Sequence, residues 1–269
     1  MAANKVEFDV GDEISLIPTY CKAKESKQKN PIIDDPKAED IINKIDFDYS
    51  NFKIPKQAYF TICLRAKKID DYAQNFINNN PDATIVQLGC GLSTRANRIS
   101  NYTNFYDIDY SEVINFKQNF YQSKKKYHMF ASSIIDQSWM DKLATAKNYL
   151  FIAEGALMYL KEENVKELIL KLQDKFPASQ LIFDSYNQKT VDKINKHQEK
   201  SGAGTKLEWG LDDARKLEGW SDEIELINEW YYTDSKEIKK LSIFYRLIFN
   251  FVKLLKPLKQ AHRILYYQL

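Results

Sequence analysis

Short apolar runs alternate with amphipathic stretches through the middle of the chain, and this alternation constrains the fold more than any other feature. Five runs have the length and composition of β-strands, at residues 84–88, 104–108, 127–131, 149–153 and 180–184. Helical patterns lie between them, at residues 94–100, 110–122 and 161–175. Strands that alternate with helices indicate a parallel sheet with helices on both faces. The sequence therefore predicts an α/β fold with a doubly wound, mostly parallel sheet.

The two ends of the chain extend this pattern. Residues 225–232 and 263–269 are predicted to be two last strands at an edge, which makes the sheet seven-stranded, with one or two amphipathic helices over residues 236–258. Residues 1–80 have the character of helices and loops, and helical spacing is clear at residues 37–44 and 57–77. We expect one domain over residues 1–269, in which a helical N-terminal cover (1–80) precedes the sheet core and C-terminal helices (81–269).

Composition narrows the class of protein. The formal net charge is only +2, so we expect no nucleic-acid partner. No run approaches the roughly 20 apolar residues of a membrane span, and the first residues lack a signal-peptide core, so we expect no membrane partner and a cytoplasmic location. The three cysteines and three histidines are scattered, which predicts neither a metal site nor a disulfide framework.

A glycine-containing loop follows the first predicted strand. Gly89, Cys90 and Gly91 lie between that strand and a helical pattern. In doubly wound sheets ligands bind beyond the carboxyl ends of the strands, and glycines there let the backbone approach a ligand closely. The second strand ends in Asp107 and Asp109, either of which can hold a ribose diol. This arrangement suits nicotinamide dinucleotides and S-adenosylmethionine equally.

Two details favour the methyl donor over the dinucleotide. A dinucleotide fingerprint has a third glycine, and the loop has Thr94 at that position. The fourth strand is followed directly by Glu154, a carboxylate that suits a cationic amino or sulfonium group. The sequence therefore predicts S-adenosylmethionine as the cofactor.

From about Tyr20 to Leu269 the chain resembles the leucine carboxyl methyltransferase and polyketide O-methyltransferase family. The matching motifs occur in the family's order and spacing. They are Asp35-Pro36, Arg65 before Asp70-Asp71, Leu88 to Arg95 with Ser93 in place of an aspartate, Asp109 to Ile114 without the family's proline, Ser132 to Trp139, Glu154 to Leu160, and His262 to Leu265. The resemblance implies a Rossmann-like methyltransferase fold and an S-adenosylmethionine-dependent activity.

The resemblance also implies roles for individual residues. It implies that Arg65 binds the carboxylate of the cofactor, and it favours Asp109 over Asp107 for the ribose. It places Ser133 and Ile134 in the segment that contacts adenine, where many members have an aspartate at the position of Ser133.

The acceptor of the methyl group is less constrained. A small-molecule carboxylate needs no general base, whereas a phenol or alcohol needs one, ideally a histidine or aspartate near the methyl group. The sequence assigns no such base, and Tyr159 is a candidate pocket residue only. Three alternatives to a small-molecule O-methyltransferase remain open. They are a protein C-terminal carboxyl methyltransferase, a nicotinamide-dependent oxidoreductase, and a catalytically silent interaction protein of the same fold.

Overall fold

A computed structural model describes residues 6–7, 13–201 and 204–269, and its centre is a seven-stranded sheet. The strands are β1 (Ala83–Leu88), β2 (Asn104–Asp109), β3 (Tyr127–Ala131), β4 (Asn148–Ala153), β5 (Gln180–Tyr186), β6 (Glu225–Tyr231) and β7 (His262–Gln268). Their order across the sheet is β3–β2–β1–β4–β5–β7–β6. From β3 to β5 neighbouring strands are parallel, and β7 runs antiparallel to both of its neighbours. The predicted α/β class and mostly parallel sheet are confirmed, with β7 and β6 together at one end.

Helices cover both faces of this sheet. They are α1 (Ile17–Ser26), α2 (Pro36–Lys44), α3 (Lys56–Asn79), α4 (Arg95–Arg98), α5 (Ser111–Lys117), α6 (Glu162–Lys175), α7 (Gln188–Ser201), α8 (Ile243–Leu254) and α9 (Lys256–Lys259). The patterns predicted α4 and α5 to be longer, and they predicted no separate element at α7. α4 ends earlier than its apolar spacing indicates, because Ile99 directly after it has extended backbone, with φ −106° and ψ 155°.

The core consists of one apolar layer on each face of the sheet. Val86 of β1 packs with Leu168 of α6 on one face, and Ile85 packs with Ile69 of α3 on the other. Every residue of β1 is buried, because both faces of a central parallel strand are covered. Full burial of one large apolar side chain contributes about 1.5–3 kcal/mol, so this double layer is the main source of stability.

The N-terminal helices lie against the glycine loop. The hydroxyl of Thr19 on α1 donates to the carbonyl of Leu92 at 3.2 Å. Asp35 caps α2 by accepting from the amide of Ala38 at 3.0 Å, and its other oxygen accepts from the hydroxyl of Thr94 at 2.5 Å. The cap of α2 therefore also positions the residue at which the loop enters α4.

Across the described ranges, none of the helices is both long enough and apolar enough to cross a membrane. The organisation of residues 1–269 as one domain stays a prediction.

Candidate active site

The glycine loop is held against the end of β2. The amides of Gly89 and Cys90 both donate to the carbonyl of Ile108, at 2.9 and 3.2 Å. Both glycines have positive φ, +65° at Gly89 and +49° at Gly91, which other residues adopt only with strain. A Cβ on Gly89 would lie 2.8 Å from the Cβ of Ala156, whereas a Cβ on Gly91 would meet nothing within 4 Å. Position 89 thus requires glycine for close packing against Ala156, and Gly91 leaves its backbone uncovered at the carboxyl ends of the parallel strands.

The two aspartates of β2 have different surroundings. Asp109 accepts from the amide of Gly91 at 2.7 Å and from that of Tyr110 at 2.8 Å, so its carboxylate lies directly beside the loop. Asp107 is fully buried one step deeper, where it accepts from Lys117 at 2.7 Å and from the hydroxyl of Tyr127 at 2.5 Å. Strand alternation alone left both residues as candidates, and of the two only Asp109 lies at the loop.

Glu154 follows β4 and is held by two guanidinium groups. Its Oε1 accepts from Nε of Arg65 at 2.9 Å, and its Oε2 accepts from Nη2 of Arg95 at 2.6 Å. Burial raises the pKa of Glu154, but the charges of Arg95, Arg65 and Lys22 outweigh burial and hold this pKa far below its ordinary value. Glu154 is therefore a fixed carboxylate at the carboxyl end of β4.

A network of buried ion pairs extends from Glu154. Arg95 is fully buried and also donates from Nε to Asp70 at 2.8 Å. Arg98 donates to the same aspartate at 2.6 Å and to Asp35 at 2.5 Å. Removal of one partner from such a pair leaves an uncompensated buried charge, at a cost of about 3–5 kcal/mol. The network thus holds α3, α4 and the cap of α2 in fixed positions around the loop.

Lys22 on α1 was not predicted and is an unusual cation. Its side chain is buried, at 3% exposure, and it forms no hydrogen bond or ion pair with any residue in the described ranges. Burial and the nearby Arg98 lower the pKa of Lys22 to about 8, although Asp35 and Glu154 act in the opposite direction. A buried cation that lacks a hydrogen-bond partner among the described residues is suited to bind an anionic ligand. No spacing in the sequence marks Lys22, because its burial depends on α1 packing over the loop.

The remaining predicted residues lie around the loop. The thiol of Cys90 is buried, which raises its pKa well above the ordinary value, so it is a packing residue and not a nucleophile. Ser133 follows β3 and is half-buried, and Ile134 packs in the core beside β2. Tyr159 is 39% exposed and is not among the side chains that line the neighbouring cavity.

A cavity of about 390 Å³ opens beside the Arg65–Glu154 pair. Ile62 and Arg65 of α3 line one side, Phe249 and Val252 of α8 line another, and His262 of β7 lies at its edge. Small-molecule sites typically have volumes of roughly 300–1,000 Å³ and mostly apolar walls with a few polar groups. The cavity therefore has the size and lining of a site for a small, largely apolar acceptor.

Arg65 connects this cavity to the region of the glycine loop. Its Nη1 donates to Oδ2 of Asp184 on β5 at 2.8 Å, while its Nε is bound to Glu154. Asp184 also accepts from the amide of Gly155 at 2.6 Å, and its Oδ2 lies 2.8 Å from Nε2 of His262. Neither Asp184 nor His262 was predicted as a functional residue, although His262 begins the last motif that matches the family. No group of three or more His, Cys, Asp or Glu side chains in the part of the chain that the structure describes is arranged to hold a metal ion.

Comparison with known proteins agrees with this geometry. The family model for leucine carboxyl methyltransferase matches residues 15–173, which is more than half of the chain. The chain belongs to the leucine carboxyl methyltransferase family. This finding confirms the predicted family and the predicted class of enzyme, a methyltransferase.

Curated relatives of this methyltransferase cover most of its length. It is 26% identical over 257 residues to the tetracenomycin polyketide synthesis O-methyltransferase TcmP of Streptomyces glaucescens, which covers 95% of each chain. It is 25% identical over 237 residues to the S-adenosyl-L-methionine-dependent methyltransferase dpfgK of Gibberella zeae, which covers 80% of each chain. The cofactor in the name of this relative is the one that Thr94 and Glu154 led the sequence to predict.

Solved structures share the fold at much lower identity. A DUF574 family protein of Streptomyces avermitilis has a TM-score of 0.57 at 10% identity, with 96% of this chain and 97% of that chain covered. An S-adenosylmethionine-dependent methyltransferase of Clostridium acetobutylicum has a TM-score of 0.51 at 11% identity, with 76% and 92% covered. The likeness confirms the predicted Rossmann-like methyltransferase fold.

Proposed function

We propose that this methyltransferase uses S-adenosylmethionine to methylate an oxygen atom, in a carboxylate or hydroxyl group, of a small molecule. The observation that carries the proposal is the position of Arg65, which bonds Glu154 beside the glycine loop and Asp184 beside the apolar cavity. A cofactor region and an acceptor-sized cavity are thus joined by one side chain. The name of TcmP, an O-methyltransferase that the chain matches over 95% of its length, supports oxygen as the acceptor atom.

The residues around the loop fit S-adenosylmethionine. Gly91 leaves its backbone bare where a Cβ would meet nothing within 4 Å, which allows the cofactor to lie against Gly89, Cys90 and Gly91. Asp109 is assigned to the ribose hydroxyls, which a carboxylate beside the loop can bind with charge-assisted hydrogen bonds. Asp107 is left out of the assignment because it is buried one step deeper than the loop, where its Oδ2 binds Lys117 and Tyr127.

The methionine part of the cofactor fits the charged groups near Glu154. Glu154 is assigned to the amino group, since each carboxylate oxygen can accept a second hydrogen bond. Lys22 and Nη2 of Arg65, which has no partner among the described residues, are assigned to the carboxylate group. Ser133 and Ile134 retain their assignment to adenine, and Tyr159 is not part of the proposed acceptor pocket.

When bound, S-adenosylmethionine supplies an electrophilic methyl group. The chain's own contribution is to align the acceptor oxygen with that methyl group and to exclude water, which the apolar walls formed by Phe249 and Val252 favour. The volume of the cavity, about 390 Å³, suits a small molecule as the acceptor.

Binding and transfer are tested separately. Calorimetry with S-adenosylhomocysteine is expected to show one site per chain, and no heat and no rise in melting temperature would overturn the cofactor assignment. Transfer of labelled methyl from S-adenosylmethionine to small phenols and carboxylic acids tests the acceptor atom. Label that appears in protein instead of the small-molecule fraction of a lysate would show a protein carboxyl methyltransferase.

A further inference from the structure

The edge of the cavity contains a histidine and a buried aspartate in direct contact. Nε2 of His262 lies 2.8 Å from Oδ2 of Asp184, and the hydroxyl of Tyr232 lies 3.2 Å from the same nitrogen. The register of β5 and β7 explains this contact, since Tyr186 is paired with His262 and Asp184 with Ile264. The two side chains therefore meet because β7 begins at the edge of the sheet where β5 ends.

The surroundings of His262 define its tautomer. Asp184 is ionised, with a pKa that burial raises but that Arg65 and His262 bring below its ordinary value, so it accepts hydrogen bonds only. Nε2 of His262 must then carry the proton, which leaves Nδ1 with a lone pair. Nδ1 has no hydrogen-bond partner in the ranges that the structure describes.

The imidazole is also held in place and kept neutral. It stacks on Tyr186, with ring centroids 4.0 Å apart, and it packs against the tilted ring of Tyr232 at 4.6 Å. Burial and the charge of Arg65 lower the pKa of His262, whereas Asp184 and Glu154 raise it. Burial is the largest effect, so the pKa lies below 6.5. The other ionisable side chains among the described residues that line the cavity are Arg65, Tyr186, Tyr232 and Lys259. At neutral pH His262 is thus an uncharged base with a fixed orientation, as a proton acceptor requires.

From this geometry we infer that His262 is the general base of the reaction and that the acceptor is a hydroxyl group, phenolic or alcoholic, of an apolar molecule. The inference rests on the proposed function and deepens it. A carboxylate is already ionised at neutral pH and gains nothing from a base, whereas a hydroxyl must lose its proton during transfer. Asp184 is a positioning residue, which holds the tautomer and stabilises the imidazolium that forms.

The proposed step balances in atoms and charge. The hydroxyl oxygen forms a bond to the methyl carbon of S-adenosylmethionine, and the carbon–sulfur bond breaks with its electron pair left on sulfur. Nδ1 of His262 takes the hydroxyl proton, and the products are a methyl ether, neutral S-adenosylhomocysteine and an imidazolium beside Asp184. The imidazolium then returns its proton to water.

The first test is ¹⁵N nuclear magnetic resonance of the histidine rings in the full chain with S-adenosylhomocysteine bound. We expect Nε2 of His262 to be protonated and Nδ1 unprotonated at pH 7, with a pKa of the ring below the ordinary 6.5. Addition of 2-naphthol is expected to shift the Nδ1 signal of His262, whereas addition of 2-naphthoate is expected to leave that signal unchanged. A protonated Nδ1 at pH 7, or no response to 2-naphthol, would overturn the inference.

The second test compares His262→Gln with His197→Gln as the matched control. With 2-naphthol, His262→Gln is expected to lower kcat by about 10²- to 10⁴-fold with KM little changed, and to remove the fall in rate at acid pH. The control variant His197→Gln is expected to keep the kcat of the unaltered protein and the fall in rate at acid pH. If both variants bind S-adenosylhomocysteine normally and transfer methyl equally well, the role of His262 as base is contradicted. If methyl is transferred to 2-naphthoate and not to 2-naphthol, the hydroxyl acceptor is contradicted as well. Neither result contradicts the proposed function. If the unaltered protein does not bind S-adenosylhomocysteine, the proposed function itself is contradicted.

Discussion

Nη2 of Arg95 donates a 2.6 Å hydrogen bond to Oε2 of Glu154, which joins the helix after the glycine loop to the end of the fourth strand. Arg95 is fully buried and the side chain of Glu154 is 10% exposed, so water does little to screen the pair. The pair gives the loop and the strand end one fixed separation. In this protein the carboxylate proposed to bind the cofactor is therefore part of the structural core.

The substitution Glu154→Gln is expected to affect stability and binding together. It removes the charge that Arg65 and Arg95 share. Arg65 keeps Asp184 and Arg95 keeps Asp70, so we expect a loss in free energy of unfolding below the roughly 3–5 kcal/mol of a buried charge left without any partner. Urea denaturation measures this loss, and calorimetry is expected to show weaker binding of S-adenosylhomocysteine. Glu162→Gln is the control, because Glu162 pairs with Lys216 at the surface and such pairs contribute about 0–1 kcal/mol. Equal stabilities of the two variants would contradict the role given to the buried network.

Replacing each loop glycine by alanine is expected to change a different property, mainly stability for Gly89 and mainly cofactor affinity for Gly91. Both substitutions carry the strain of positive φ, about 1–2 kcal/mol. Gly89→Ala also places a Cβ 2.8 Å from that of Ala156, so its melting temperature is expected to fall further than that of Gly91→Ala. Gly91→Ala fits the folded chain but intrudes on the proposed cofactor, so its affinity for S-adenosylhomocysteine is expected to fall. Unchanged affinity in Gly91→Ala would remove the loop from the cofactor site.

The two aspartates of β2 provide a second matched pair. Asp109→Asn is expected to weaken S-adenosylhomocysteine binding by about 10- to 100-fold, since hydrogen bonds to a charged group contribute about 1.5–3 kcal/mol. Asp107→Asn is expected to leave affinity nearly unchanged but to lower the free energy of unfolding, because it leaves buried Lys117 without its anionic partner. Calorimetry and urea denaturation of both variants check this, and the reverse pattern would assign the ribose to Asp107.

Affinity for the cofactor is expected to depend on pH through Lys22. Its pKa is about 8 in the protein, below the ordinary 10.5, so above pH 8 the free site loses one of the two cations assigned to the carboxylate. Binding then takes up a proton, and affinity is expected to fall by up to about tenfold per pH unit above pH 8. The charged groups that act on Lys22 are Arg98, Asp35, Glu154 and Arg95. Calorimetry from pH 7 to 9.5 measures the slope of affinity against pH. The Lys22→Met variant is expected to bind the cofactor weakly and to show no such slope. An unchanged slope in that variant would exclude Lys22 as the titrating group.

Local patterns in the sequence were enough to predict much of the fold. Buried parallel strands are continuous apolar runs, so β1 to β5 could be located within one or two residues, and the glycine loop followed from its position after β1. The order of motifs identified the family. The bounds of α4 and α5 were less certain, since helix ends depend on caps and side-chain contacts that apolar spacing does not record.

By itself, the sequence determined the class of fold and the family, and it predicted the edge of the sheet at which a ligand binds, because these follow from periodicity and from motifs of adjacent residues. Only the tertiary structure decided that Asp109 and not Asp107 lies at the loop, that Lys22 is buried without a partner in the described chain, and that His262 meets Asp184. The physical reason is distance along the chain. Arg65 and Glu154 are 89 residues apart and His262 and Asp184 are 78 apart, so strand order and helix packing, which no local pattern encodes, bring each pair together.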